Sequence, residues 1–114
     1  MNSESETNWK KILEFVETNF QKKPDMNALL FLIGMRELGN LPETNFKKDD
    51  KVSLMHIAVC KILSYSGHYN LKGTDEEGWP HWELLKAMPS MTTFEQESYI
   101  REHVIEYFIA EEII

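Results

Sequence analysis

Four histidines and one cysteine are the side chains of this sequence best suited to hold a metal ion or move a proton. His56 and Cys60 stand four residues apart, a spacing that puts two side chains on one face of a helix. A hairpin after that helix would bring His68 or His81 alongside and complete a tetrahedral N/S set of the kind that takes zinc. The set has no recognised ligand spacing: C-x-x-C and H-E-x-x-H are both absent. Cys60 equally suits a small buried apolar position. His56, beside Val52, Val59 and Leu63 by helical angle, equally suits a half-buried, hydrogen-bonded role.

The string Gly78-Trp79-Pro80-His81-Trp82-Glu83 sets two indoles around a proline and a titratable ring, next to the acidic Asp75-Glu76-Glu77. Indoles offer large flat faces and one donor each, which suits stacking on a ligand or anchoring a partner. His81 and Glu83 could exchange a proton near neutral pH. The structural alternative is that Trp79 and Trp82 close one end of a helical core. The acidic turn lacks the ligand pattern of an EF-hand. No G-x-S-x-G elbow is present, and Ser64, Ser66 and His68 are neighbours in sequence without being a triad. Five scattered glycines make no phosphate cradle, so no cofactor is implied.

The elements that must position these residues follow from apolar spacing. Trp9, Ile12, Leu13, Val16 and Phe20 form one stripe and predict a helix over 8–21, with Thr7 as N-cap and Lys22, Lys23 and Pro24 at its end. Residues 1–6 are polar and read as a flexible lead-in to one helical domain over 7–114. Asp25 caps a second helix over 26–38, stopped by Gly39. That helix is apolar almost all round and must be covered on most sides. Gly34 inside it costs about 1 kcal/mol relative to Ala, a cost explained if another segment approaches closely.

Asn40 to Lys48 reads as a loop pinned by Phe46. Asp49 and Asp50 open a third helix over 49–65, with Val52, Met55, Val59, Ile62 and Leu63 inward and Gly67 beyond its end. Between Gly67 and Ser90 the period changes, and a short β-hairpin is favoured over a helix begun by Pro80. Thr92 or Thr93 caps a last helix, Thr93 with Gln96 having capping-box spacing. Its apolar arc, with Tyr107, Phe108 and Ile109, is wider than a surface helix needs, and six glutamates fringe it. Either it is wedged into its own core or it forms a symmetric dimer contact. Glu111 and Glu112 at its negative end point to fraying or to a basic partner.

With 114 residues and a net charge of −7, the chain is disfavoured as a nucleic-acid binder, and no run of about 18 apolar residues could span a membrane. Its first residues lack the charge and apolar run of a signal peptide, which makes the cytoplasm the default. The stretches Leu30-Phe31-Leu32-Ile33-Gly34, Glu37-Leu38-Gly39, His56-Ile57-Ala58-Val59-Cys60 and Gly73 to Trp82 resemble a small, mainly helical family of Bacteroidota, over residues 25–108. That resemblance implies a bacterial, cytosolic, single-domain protein. It brings no catalytic or binding residues, because the family has no established activity.

The reading is therefore a mainly α, four-helix bundle-like domain with a hairpin between helices three and four. Its expected role is a protein-interaction or structural module, homodimeric through the last helix, acting through Trp79, Trp82, Tyr107 and Phe108. The alternative is a metal- or small-ligand-binding protein, even an enzyme, using His56, Cys60 and His81. An acidic decoy for a basic partner is a third class, resting on net charge alone.

Overall fold

A computed structural model of the chain describes residues 3–20, 24–39 and 48–114. Of the loop expected at Asn40 to Lys48, residues 40–47 with the Phe46 anchor lie outside them, as does the Lys22-Lys23 pair, while Lys48 is already the first residue of a helix. The order is α1 (Ser3–Phe20), α2 (Met26–Leu38), α3 (Lys48–Ser64), β1 (Tyr69–Thr74), β2 (Pro80–Leu84) and α4 (Thr93–Ala110). The chain is thus mainly helical, with an antiparallel two-stranded hairpin between α3 and α4. It gathers into two compact units, residues 1–29 with 90–114 and residues 30–89, the division falling inside α2.

The first unit is built on α1 and α4. Ile12 and Val16 of α1 are buried, as the stripe requires, and so are Val104, Ile105, Tyr107 and Phe108 of α4. Phe15 meets Phe108 edge-on at 6.4 Å, and the Arg101 guanidinium lies 4.8 Å above the Trp9 ring. The helix begins at Ser3, ahead of the expected start. Thr7 is not its cap: its hydroxyl donates back to the Ser3 carbonyl at 2.9 Å, inside the helix. Ser5 is buried and donates to Glu102 at 3.1 Å, so a contact remote in sequence holds the polar lead-in helical.

Thr92, not Thr93, caps α4. Its hydroxyl accepts from the Glu95 amide at 3.1 Å while the Glu95 carboxylate accepts from the Thr92 amide at 3.2 Å, a reciprocal capping box. The far end of α4 is closed rather than frayed. The Ile113 amide reaches the Phe108 carbonyl at 2.8 Å and the Glu112 amide reaches Ile109 at 3.0 Å, a Schellman pattern that puts Glu112 at φ 56°.

Asp25 caps α2 as expected, its carboxylate accepting from the Ala28 amide at 2.7 Å, and Gly39 ends the helix at φ 79°. No apolar side chain of α2 is exposed; only Asn27 and Arg36 are. In the second unit, Gly34 of α2 lies against the backbone of α3. A Cβ at Gly34 would strike the Leu54 carbonyl oxygen and stand 2.7 Å from its carbon. The buried residues of α3 are Leu54, Ile57, Ala58, Cys60, Ile62 and Leu63; Ile62 and Leu63 are inside as expected, whereas Val52, also expected there, is 61% exposed.

Gly67 at φ 80° closes α3, with the His68 amide on the Leu63 carbonyl at 3.2 Å and the Gly67 amide on Ser64 at 3.0 Å. The chain leaves this cap directly into β1. Tyr69 pairs with Leu84 and Leu71 with Trp82, then a bulge at Leu71/Gly73 shifts the register so that Gly73 faces His81. The buried His68 ring closes the base of the hairpin, its Nδ1–H donating to the Lys86 carbonyl at 2.7 Å.

Candidate functional site

The loop between the strands is organised by one carboxylate. Asp75 Oδ1 accepts from the Glu77 and Trp79 amides, both at 2.9 Å, and the Gly78 amide bonds the Asp75 carbonyl at 3.0 Å. Gly78 at φ 88° lets the chain turn back into β2. The bulge between Leu71 and Gly73 adds local twist to the hairpin.

The result is a cleft of about 470 Å³ against α3. Val52, Ser53, His56 and Ile57 line it from α3, where their i, i+1, i+4 and i+5 spacing gives one face. Asp75, Trp79, Pro80, His81 and Trp82 line it from the hairpin. Its volume is in the range of small-ligand sites, roughly 300–1,000 Å³.

His81 donates from Nε2 to Asp75 Oδ2 at 2.9 Å. That bond, followed by the Trp79 amide, holds the Asp75 carboxyl below its ordinary value, so it is ionised at neutral pH. Glu83, expected as the proton partner of His81, instead meets Lys72 across the hairpin at 3.6 Å. The Trp82 indole nitrogen is buried without an acceptor among the described residues.

His56 and Cys60 do come together, with 3.5 Å between Nε2 and Sγ, and Tyr69 meets the His56 ring edge-on at 6.5 Å. Burial pushes the Cys60 thiol up to about 11. It is therefore a protonated donor at neutral pH and neither a nucleophile nor a ready ligand, since both roles need the thiolate. His56 and His81 line one cleft, but each is engaged separately, His56 with Cys60 and His81 with Asp75. Among the described residues no three His, Cys, Asp or Glu side chains converge as metal ligands would. The tetrahedral set of His56, Cys60 and His81 is not assembled.

Tyr107 and Phe108 are not surface residues: they are 0% and 3% exposed, and Phe108 meets Phe15 of α1 edge-on. What α4 leaves outside is Phe94, 79% exposed, and Ile109. His103 is likewise internal, its Nδ1–H bonded to the Tyr99 carbonyl at 2.7 Å.

Asp75 and Ser53 were not singled out by residue type. The only local signal for Asp75 is its position as a turn former just ahead of Gly78; Ser53 has none. No family model, curated protein or solved structure matches the chain. Among the described residues no helix is long and apolar enough to cross a membrane.

Proposed function

We propose that the chain is a small protein-interaction module that grips an extended segment of another protein in the cleft between α3 and the hairpin. The observation that carries this reading is the lining itself: two indoles and a proline gathered in one cleft, on a hairpin whose β2 ends in Leu84 and runs on into Leu85, exposed at 57% and 58%. Aromatic anchors in a cleft, carried on a hairpin that also leaves aliphatic side chains exposed, are the composition of a binding surface rather than of an idle one. The sheet has two strands, so the outer edge of β2 has no strand neighbour among the described residues and its backbone groups can pair with an incoming chain.

Binding rather than catalysis is favoured because the cysteine is a buried thiol and the imidazole of His81 is tied to the carboxylate that shapes its own turn. A homodimer through α4 loses two of its expected anchors with Tyr107 and Phe108 buried, and the hairpin takes its place as the working surface. A cytosolic setting and a bundle-like association of the four helices belong to the same proposal.

Selection of displayed peptides on the immobilised chain tests it. Selected peptides are expected to bind with micromolar affinity and to lose at least about tenfold on Trp79→Ala, the scale of a buried aromatic anchor. Peptides that bind Trp79→Ala and Trp82→Ala as well as the parent chain, or no selected peptide at all, would overturn the reading.

A further inference from the structure

The lining of this cleft also says what kind of group it holds. Trp79 and Trp82 supply indole faces, the rings that attract cations most strongly. The one acidic group on its wall is the Asp75 carboxylate, kept ionised by its bonds to His81 and the Trp79 amide, and no lysine or arginine is among its lining residues. Two more carboxylates, Glu76 and Glu77, are exposed in the adjoining turn. Elsewhere the chain fills such faces from within: Arg101 covers Trp9 at 4.8 Å and Lys61 stands 5.5 Å from the Tyr65 ring. The cleft therefore combines aromatic walls with negative charge and takes its cation from outside.

We infer that the α3–hairpin cleft binds the alkylammonium side chain of a lysine, bare or methylated, carried on the docked protein segment. The inference rests on the proposed docking function and names the group that segment must present. An alkylammonium fits better than a guanidinium because its rounded, alkyl-clad charge can meet indoles from any side without the planar stacking a guanidinium needs, and methylation weakens its hydration and so lowers the cost of leaving water. Asp75 supplies the long-range attraction. Its oxygens already accept three hydrogen bonds, two at Oδ1 and one at Oδ2, so about one acceptor site is left beside the field of its charge.

The test uses the whole chain and three capped amino acids: trimethyllysine, lysine, and the carbon isostere in which tert-butyl replaces trimethylammonium. Binding is followed by NMR at the indole N–H signals of Trp79 and Trp82. Trimethyllysine is expected to move both signals saturably, with lysine weaker, and the neutral isostere at least about tenfold weaker than trimethyllysine, as a partly desolvated cation–π contact requires. Trp79→Phe is expected to lower trimethyllysine affinity and Trp79→Leu to lower it further, while binding of the isostere stays level. An isostere that binds as well as the cation, or no saturable shift with any probe, overturns the inference. Neither result touches the docking reading, which stands or falls on whether selected peptides need Trp79 and Trp82.

Discussion

The Asp75 carboxylate accepts from the Glu77 and Trp79 amides and from the His81 ring, each at 2.9 Å, and every one of these bonds is made to its charged form. Its pKa is accordingly lowered from 3.8, chiefly by His81. A carboxyl depressed in the folded state stabilises the fold above its unfolded value and loses that contribution as pH falls through the folded one. The hairpin is therefore expected to weaken as the pH drops below 3.8. Asp75→Asn, which keeps one acceptor oxygen but no charge, should be less stable than the parent at neutral pH and converge on it in acid. Urea midpoints at both ends of that range check this, and a constant gap between the two proteins would refute it. The same residue shows why the site was only half legible. Trp79, Trp82, His56 and His81 are conspicuous by type, but what Asp75 bonds depends on the path of the turn and on the register slip at Gly73, neither of which is written in spacing. Tyr107 and Phe108 fail for the converse reason, since a wide apolar arc looks alike whether it meets its own core or a partner.

Among the elements, the crossing of α2 and α3 makes the sharpest demand. A methyl group at Gly34 meets the Leu54 backbone, which cannot swing aside as a side chain would. Gly34→Ala gains about 1 kcal/mol of helix propensity and loses about 3 kcal/mol or more to overpacking. The net expectation is a loss of about 2 kcal/mol, read as a lower denaturant midpoint; a more stable variant would mean that the helices separate freely. The end of α4 makes the opposite case. Glu112 holds φ 56°, where a non-glycine residue costs about 1 kcal/mol, and it places a negative charge at the negative end of the helix. Glu112→Gly is expected to raise stability by about 1 kcal/mol, and any loss would sink this account of the cap. Periodicity found the helices and turn chemistry found the hairpin, because both are local. The start of α1 and the exposure of Val52 escaped: Ser5 is held by Glu102, far off in sequence, and helical spacing alone does not say that Val52 stays outside while Leu54 goes in.

At the scale of the whole molecule, charge divides with the two units. Eleven acidic and five basic side chains fall in the unit of α1 and α4, and eight acidic against seven basic in the unit of the hairpin. Nearly all of the net −7 therefore sits on the unit without the cleft, where the carboxylates of α4 repel one another with only Arg101 among them to offset the charge. The cleft unit is close to neutral, so its attraction for a cation is local to Asp75 and its neighbours rather than a property of the molecule's overall field. Two salt responses follow. At about 10 mM salt the screening length is near 30 Å and the repulsion within the acidic unit acts at full reach; at about 0.1 M it is near 10 Å and much of it is gone. Added sodium chloride over that range should raise the melting temperature by a few degrees through relief of self-repulsion, while weakening trimethyllysine binding at the cleft only slightly, because a contact at van der Waals range with an indole face is screened little. Melting curves and the indole titration at the two salt levels measure both. A melting temperature that falls with salt would show attraction, not repulsion, to dominate the acidic unit, and binding that collapses with salt would assign the cleft's affinity to diffuse charge instead of its aromatic walls.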